Sequence, residues 1–261
     1  MLEDLFINLV IIMGAMAGYF QKSLTLTGAF AAMLVGISVY AGMGLDGLAL
    51  LGAFFVSSNF WSKYKGNVKK TMEEKLAKGA IRDWLQVLAN GGAAALFSLL
   101  YLFQPERAWL IGFMVCLASA NSDTWASEIG SLSKKNPIYI RTFKRIERGT
   151  SGAISGLGSA AAAAGSFFIS ILGYFLFQLD IYLMLIVFLF GYIGNVIDTL
   201  FGAFYQQVYL CGHCGITTEK KSHCQMPTTR IKGLTLVDND MVNFLSGFIA
   251  SVLSIVILRL F

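Results

Sequence analysis

Apolar residues gather in eight long stretches, near 5–20, 24–42, 45–61, 84–103, 107–130, 150–178, 180–206 and 238–258. Each approaches or exceeds the roughly 20 residues that let a helix cross a hydrocarbon layer of about 30 Å. The pattern predicts an all-α polytopic membrane protein of eight transmembrane helices, a single integral membrane domain over 1–261 with no soluble second domain. Between the stretches, the loops 62–82, 131–149 and 207–237 are rich in Lys and Arg, whereas the connections near Asp46, Glu106 and Asp180 are short and acidic or neutral. The positive-inside rule puts the three basic loops and Lys22 in the cytoplasm, leaves Arg107 and Arg259 on the opposite side, and turns both termini outward. Acidic Glu3 and Asp4 precede the first stretch and no small-residue cleavage site follows it, so it reads as a retained helix rather than a signal peptide.

Composition agrees with the pattern. Of 261 residues, 56% are apolar and 13% charged, and the mean hydropathy is +0.66. That balance excludes a soluble enzyme, a disordered tail and a secreted disulfide scaffold. The net charge of +5 resides in a few loops, so it speaks of membrane orientation and phosphate handling. No nucleic-acid-binding module is visible, and no nucleic-acid partner is expected.

Glycine, alanine and serine punctuate the stretches, as in Gly152, Gly156, Gly158 and Ala160–Ala164, which suits close helix packing. Packing leaves the polar groups at the predicted cytoplasmic ends unexplained. The run Asn121-Ser122-Asp123-Thr124-Trp125-Ala126-Ser127-Glu128 places two carboxylates at the inner end of the fifth stretch. A charge there costs a few kcal/mol unless it is paired, so the run reads as a structural salt bridge or as a metal or substrate site. On a helix, Asn121, Thr124 and Glu128 share one face, with Asp123 and Ser127 on another. In the seventh stretch Gly194, Asp198, Gly202 and Gln206 recur at steps of four and form one stripe, with Asn195 within a turn of Asp198. This group suits oxygen coordination of Mg²⁺, or a buried Asp paired with a base.

The loop 131–149 carries Lys134, Lys135, Arg141, Lys144, Arg145 and Arg148 and runs into Gly149-Thr150-Ser151-Gly152 at the predicted start of the sixth stretch. Free N–H groups at a glycine-rich helix start, next to guanidinium groups, suit phosphate; a topogenic basic loop with Thr150 as an N-cap is the plainer reading. Arg82, Gln86 and Asn90 share one face at the start of the fourth stretch, beside Asp83. Asp238-Asn239-Asp240 precedes the eighth, with Asn243 one turn in and Asp238 available as a cap. Three of the four cysteines fall in one loop as Cys211-x-x-Cys214 and His223-Cys224. Those four residues read as the ligands of a structural Zn²⁺, with His213 as a substitute, and Cys116 as buried filler.

Together, RDWLQVLANGG, ANSDTWASEIG, RGTSGAISGLG, GNVIDTLFGAFYQ, the CxxC loop and DNDMVNF, in that order, resemble the membrane family called domain of unknown function 92, which includes transmembrane protein 19-like and phytyl-phosphate kinase-like integral membrane proteins. The resemblance spans nearly the whole chain and departs at Arg141-Thr142 and Glu147-Arg148. More distantly, the path from Asp123, Ala126 and Gly130 to Lys144 and Gly149 is similar to the dolichol kinase and CDP-diacylglycerol synthase groups, which use CTP and a divalent ion. By that resemblance Asp123 and Asp198 would hold Mg²⁺, and Lys144 with Arg145 the phosphates of the nucleotide.

The expected activity is an Mg²⁺-dependent kinase passing a phosphoryl group from CTP, or another nucleoside triphosphate, to an isoprenoid monophosphate. Expected catalytic residues are Asp123, Asp198 and Glu128. Expected phosphate and substrate contacts are Arg82, Lys144, Arg145, Arg148, Thr150 and Ser151, with Asn90, Asn121, Asn195, Asp240 and Asn243 beside them. The partners are then a lipid phosphate, the nucleotide, the membrane and, as an assembly, a homodimer. The same parts permit attack at the α-phosphate, giving a cytidylyltransferase that makes a CDP-lipid. A lipid-phosphate or ion-coupled transporter is the competing class, and a scaffold recruited through the zinc loop a third.

Overall fold

The computed structural model describes residues 2–66 and 76–260, so residues 67–75 of the expected 62–82 loop lie outside the described residues. The fold is mostly helical. Among the described residues there are seven helices: α1 (Leu2–Phe20), α2 (Leu26–Lys63), α3 (Trp84–Phe103), α4 (Arg107–Gly130), α5 (Gly156–Leu176), α6 (Ile181–Phe204) and α7 (Asn239–Leu260). All but α4 are long and apolar enough to cross a membrane.

α2 covers two of the expected stretches without a loop between them. A straight helix would carry Thr25 and Asn59 roughly 50 Å apart at about 1.5 Å per residue. Yet both touch one residue: the Thr25 N–H donates to the Arg82 carbonyl at 2.9 Å, and Arg82 Nη1 donates to Asn59 Oδ1 at 2.9 Å. α2 therefore doubles back on itself, and the break is at Gly44, whose φ of 63° and ψ of −154° are non-helical. Only glycine occupies that region without strain.

Helix starts follow local capping chemistry. Asp83 and Gln86 form a reciprocal capping box at α3, with Gln86 N–H to Asp83 Oδ1 at 2.9 Å and Asp83 N–H to Gln86 Oε1 at 3.1 Å. Asp238 accepts from the Met241 N–H at 3.0 Å and caps α7. The sixth stretch starts later than 150: α5 begins at Gly156, and Ser155, not Thr150, caps it through the Gly158 N–H at 3.0 Å. Gly149 and Gly152, with φ of 76° and 81°, bend the preceding segment instead.

The all-α expectation is also corrected in two loops. β1 (Ile138–Tyr139) and β2 (Ala153–Ile154) pair antiparallel, bringing the two ends of the 138–154 segment together. Further on, β3 (Val208–Leu210), β4 (Thr217–Thr218), β5 (Ser222–His223), β6 (Met226–Pro227) and β7 (Thr229–Lys232) build a small hairpin module. Its three-stranded sheet has the order β4-β3-β7, and β5 pairs with β6. β-branched and aromatic residues in Val208-Tyr209-Leu210 and Thr229-Arg230-Ile231 favour this pairing over helix. The module docks on the end of α6, where Lys232 Nζ donates to the Gly202 and Ala203 carbonyls at 2.8 and 2.9 Å and the Tyr139 hydroxyl donates to Ala203 O at 2.9 Å. Those carbonyls lack intrahelical partners, and a cation suits the negative end of the helix dipole.

α4 lies at the centre, packed against α2, α3, α5, α6 and α7, with every residue from Ile111 to Ser119 buried. Its polar groups find partners on the neighbouring helices: Asn121 Nδ2 donates to Gly165 O and Ser122 Oγ to Ala162 O, both at 2.8 Å, while Ser57 Oγ donates to Asn121 Oδ1 at 3.0 Å. A Cβ on Gly194 would lie 2.0 Å from Ser119 Oγ, so the absence of a side chain lets α6 meet α4.

Candidate functional site

A cavity of about 400 Å³ opens where α2, α4 and α6 end and α3, α5 and α7 begin. Consecutive antiparallel helices bring these ends together, and the polar residues of the apolar stretches collect there. Asp123 and Asp198 both line it, from α4 and α6. The two carboxyl groups are near enough for each to act electrostatically on the other. Asn195 Nδ2 donates to Asp123 Oδ1 at 3.0 Å, and Ser246 Oγ to Asp198 Oδ2 at 3.3 Å. Among the described residues no Lys or Arg forms an ion pair with either acid. Two facing carboxylates without a base need a shared proton or a cation between them. The donors present are oxygens, a set that fits a hard divalent ion such as Mg²⁺.

The cavity wall also holds basic groups. Arg82 donates from Nη1 to Asn59 and from Nη2 to Ser62 Oγ at 3.4 Å, and its charge faces Glu128, which accepts from Ser62 Oγ at 2.7 Å. Arg148 lines the cavity while Nη2 donates to Lys134 O at 3.0 Å. Thr150 and Ser151 sit beside it, and Asn90, Asp240 and Asn243 complete the wall from α3 and α7. Three expected residues are elsewhere. Lys144 and Arg145 are exposed beyond the 140–142 turn, away from the cavity, where Arg145 bridges back to Ile138 and its Nη1 donates to Asn136 O at 2.8 Å. Asn121 is buried among helices, both ends of its amide engaged.

Two charged residues in the wall were invisible to sequence reasoning. Lys78 forms ion pairs with Asp83 at 2.8 Å and Asp240 at 2.5 Å, joining the starts of α3 and α7. Burial acts to lower its pKa, but hydrogen bonds to the two carboxylates outweigh it and raise the value above 10.5. Glu219, just after β4, reaches into the cavity and accepts from Ser151 Oγ, from Gln206 Nε2 at 2.8 Å and from the Ala77 N–H at 3.3 Å. Burial pushes its carboxyl above 4.5 against these bonds and the Lys232 charge, and its own charge is felt at Asp198. In a charged loop, Lys78 and Glu219 look like any solvated residue.

The hairpin module gathers Cys211, Cys214, His223 and Cys224, with one ligand atom from each within 4.8 Å of all the others. Cys211 and Cys214 bracket the β3–β4 turn, where Gly215 N–H donates to Cys211 O at 2.9 Å. His223 and Cys224 stand at the β5–β6 turn, His223 Nδ1 lying 3.4 Å from Cys214 Sγ and 3.2 Å from Cys224 Sγ. The Cys214 backbone N–H, foremost among its neighbours, pulls the Cys211 thiol down to about 6. Three sulfurs and an imidazole can hold one metal ion, and His213 is not part of the group.

The family model of the integral membrane protein DUF92 matches residues 9–251. Protein PGR of Arabidopsis thaliana is 31% identical, over 92% of this chain and 91% of its own. An uncharacterized membrane protein of Methanocaldococcus jannaschii is 36% identical, over 78% of this chain and 84% of its own. Protein VTE6, chloroplastic, of A. thaliana is 29% identical over 70% of this chain, which spans 56% of that relative's length. No solved structure matches the chain. Membrane-length helices, a polar cavity at their shared end and a match running from the first helix into the last lead to one assignment: the chain belongs to the integral membrane family DUF92.

Proposed function

We propose that the protein is an Mg²⁺-dependent membrane kinase that passes a phosphoryl group from CTP, or another nucleoside triphosphate, to an isoprenoid monophosphate. The observation that carries this reading is that Asp123 and Asp198, from separate helices and without a basic partner among the described residues, line one cavity whose wall also holds Arg82 and Arg148. The resemblance to phytyl-phosphate kinase-like proteins favours the lipid phosphate as acceptor. Mg²⁺, when bound, would neutralise phosphate charge between the two carboxylates. Asn195 and Ser246 orient those carboxylates, and Arg82 and Arg148 offset charge on the phosphates. An oxygen of the acceptor monophosphate attacks the γ-phosphorus, the bond to the β–γ bridging oxygen breaks, and the nucleoside diphosphate leaves with that electron pair. Positioning and charge stabilisation suffice for this chemistry, so no strong base is required. Lys144 and Arg145, being exposed away from the cavity, have no part in this scheme.

The same reading takes the two limbs of α2 and the buried α4 as crossings, eight in all, within one domain. It puts the basic loops on the cytoplasmic side with both termini outside. It gives the cysteine cluster a structural Zn²⁺, and it is compatible with a homodimer. The test is incubation of the purified protein with geranylgeranyl or phytyl monophosphate, Mg²⁺ and labelled CTP. CDP with a lipid diphosphate supports the kinase; pyrophosphate with a CDP-lipid converts it to a cytidylyltransferase. Asp123→Asn and Asp198→Asn are each expected to lower turnover by at least about 100-fold with folding intact. No turnover with any donor, but uptake of the lipid phosphate into vesicles, would overturn the enzymatic reading in favour of transport.

A further inference from the structure

The cysteine cluster and the acid-lined cavity are joined through one side chain. Glu219 sits midway along the segment between Cys214 and His223, so closing the cluster fixes both ends of its loop. Its neighbours are pinned inside the module: Lys220 N–H donates to Thr218 Oγ1 at 3.2 Å, Thr228 Oγ1 to Lys220 O at 2.7 Å, and Thr228 N–H to Lys221 O at 3.1 Å. The carboxylate leaves the module and takes donors from three separate segments. Oε1 accepts from Ser151 and from Gln206, and Oε2 from the backbone of Ala77. Ser151 belongs to the Gly149–Gly152 bend and Ala77 to the 76–80 segment, both of them cavity wall.

We infer that Glu219 is a positioning residue through which metal occupancy at Cys211, Cys214, His223 and Cys224 sets the shape of the cavity. A carboxylate accepting from three strands of wall holds them at fixed separation; without it, Ser151 Oγ, Gln206 Nε2 and the Ala77 N–H lose their acceptor together. The link runs in both directions. Glu219 lines the same cavity as Asp123 and Asp198, so a cation held between the two aspartates would favour the inserted carboxylate, and an inserted carboxylate would favour the cation. This second half rests on the proposed cation site; the first does not.

Hydrogen–deuterium exchange on the full chain in nanodiscs tests the link without turnover. Stripping Zn²⁺ from zinc-loaded protein, or Cys214→Ser, is expected to speed exchange in 149–155 and 76–80 by at least about five-fold while 111–119 stays protected. Glu219→Ala is expected to do the same with zinc content unchanged, and Glu219→Gln, which keeps a carbonyl acceptor, to fall between. Unchanged exchange at 149–155 and 76–80 after zinc removal, or in Glu219→Ala, overturns the inference. If Glu219→Ala also exposes 111–119, the Glu219→Gln and zinc-stripping arms decide it. Mn²⁺ titration followed by electron paramagnetic resonance reads the second half, with binding expected to weaken about ten-fold in Glu219→Gln. A wild type that binds no Mn²⁺ sinks the cation site and the reciprocal half, and leaves the exchange result to judge Glu219. Mn²⁺ binding that Glu219→Gln does not alter overturns the reciprocity alone.

Discussion

Asp123 and Asp198 line one cavity from separate helices, and two like charges there, when both are ionised, are a cost of the fold. Asp198→Asn removes that cost. Its thermal midpoint is expected to rise by about 2–4 °C, and the stabilisation that the proposed site predicts for Mg²⁺ on the wild type is expected to be lost; thermal denaturation in detergent with and without MgCl₂ measures both. A midpoint that falls, with Mg²⁺ stabilisation intact, would place the cation elsewhere. Lys78 acts in the opposite sense. It raises its own pKa above 10.5 through Asp240 and Asp83, and it lowers Asp83 below 3.8 against the effect of burial. For Asp83 the lowered value means a contribution present above 3.8 and lost as pH falls through the folded value. For Lys78 the raised value means one present below 10.5 and lost as pH rises through the folded value. Between those limits Lys78→Met is expected to melt about 2–4 °C below the wild type, with the gap closing at either end of a pH series. The carboxylates in α4 and α6 were legible in the sequence because a charge inside an apolar stretch demands a reason. Lys78 and Glu219 were not, since each lies in a segment where charge is the norm and only the fold turns it inward.

At the scale of elements, capping and apolar length told most of the story. Asp83 with Gln86, and Asp238, mark helix starts that the residue types announce. α5 misled because Gly149-Thr150-Ser151-Gly152 has the composition of a helix start, yet positive φ at both glycines turns the chain before Ser155 can cap it. The short strands were hidden for a related reason: two to four residues carry no readable alternation, and pairing at long range decides them. The bend at Gly44 yields a sharp expectation. Gly44→Val forces a branched side chain into a conformation that costs about 1–3 kcal/mol, so the variant should melt several degrees lower. Gly52→Ala in the same helix, where a Cβ meets nothing within 4 Å, should be close to neutral; equal losses for the two would show that α2 is not broken there.

The whole molecule is an apolar bundle with unlike ends. One end gathers the cavity, the β1–β2 ribbon and the hairpin module, which touch through Lys232, Tyr139 and the end of α6. At the other, Arg259 Nη2 lies 3.3 Å from Glu106 Oε2, near the starts and ends of the opposite set of helices. Cysteines introduced at Lys144 and Lys221 are therefore expected to react with an impermeant maleimide from one side of a sealed vesicle, and cysteines at Gln104 and Leu260 from the other. Labelling of all four from one side would refute this arrangement. α4, which falls short of the others in apolar character, is the helix against which α2, α3, α5, α6 and α7 all pack, so its polar groups face protein.

The hairpin at Gly44 also bears on how the chain reaches its membrane during synthesis. The limbs of α2 are joined directly at Gly44, so a translocon has no loop to release into water between them. On the proposed eight-crossing reading, the pair enters lipid as one unit, and Asp46, exposed beside the bend, travels with it.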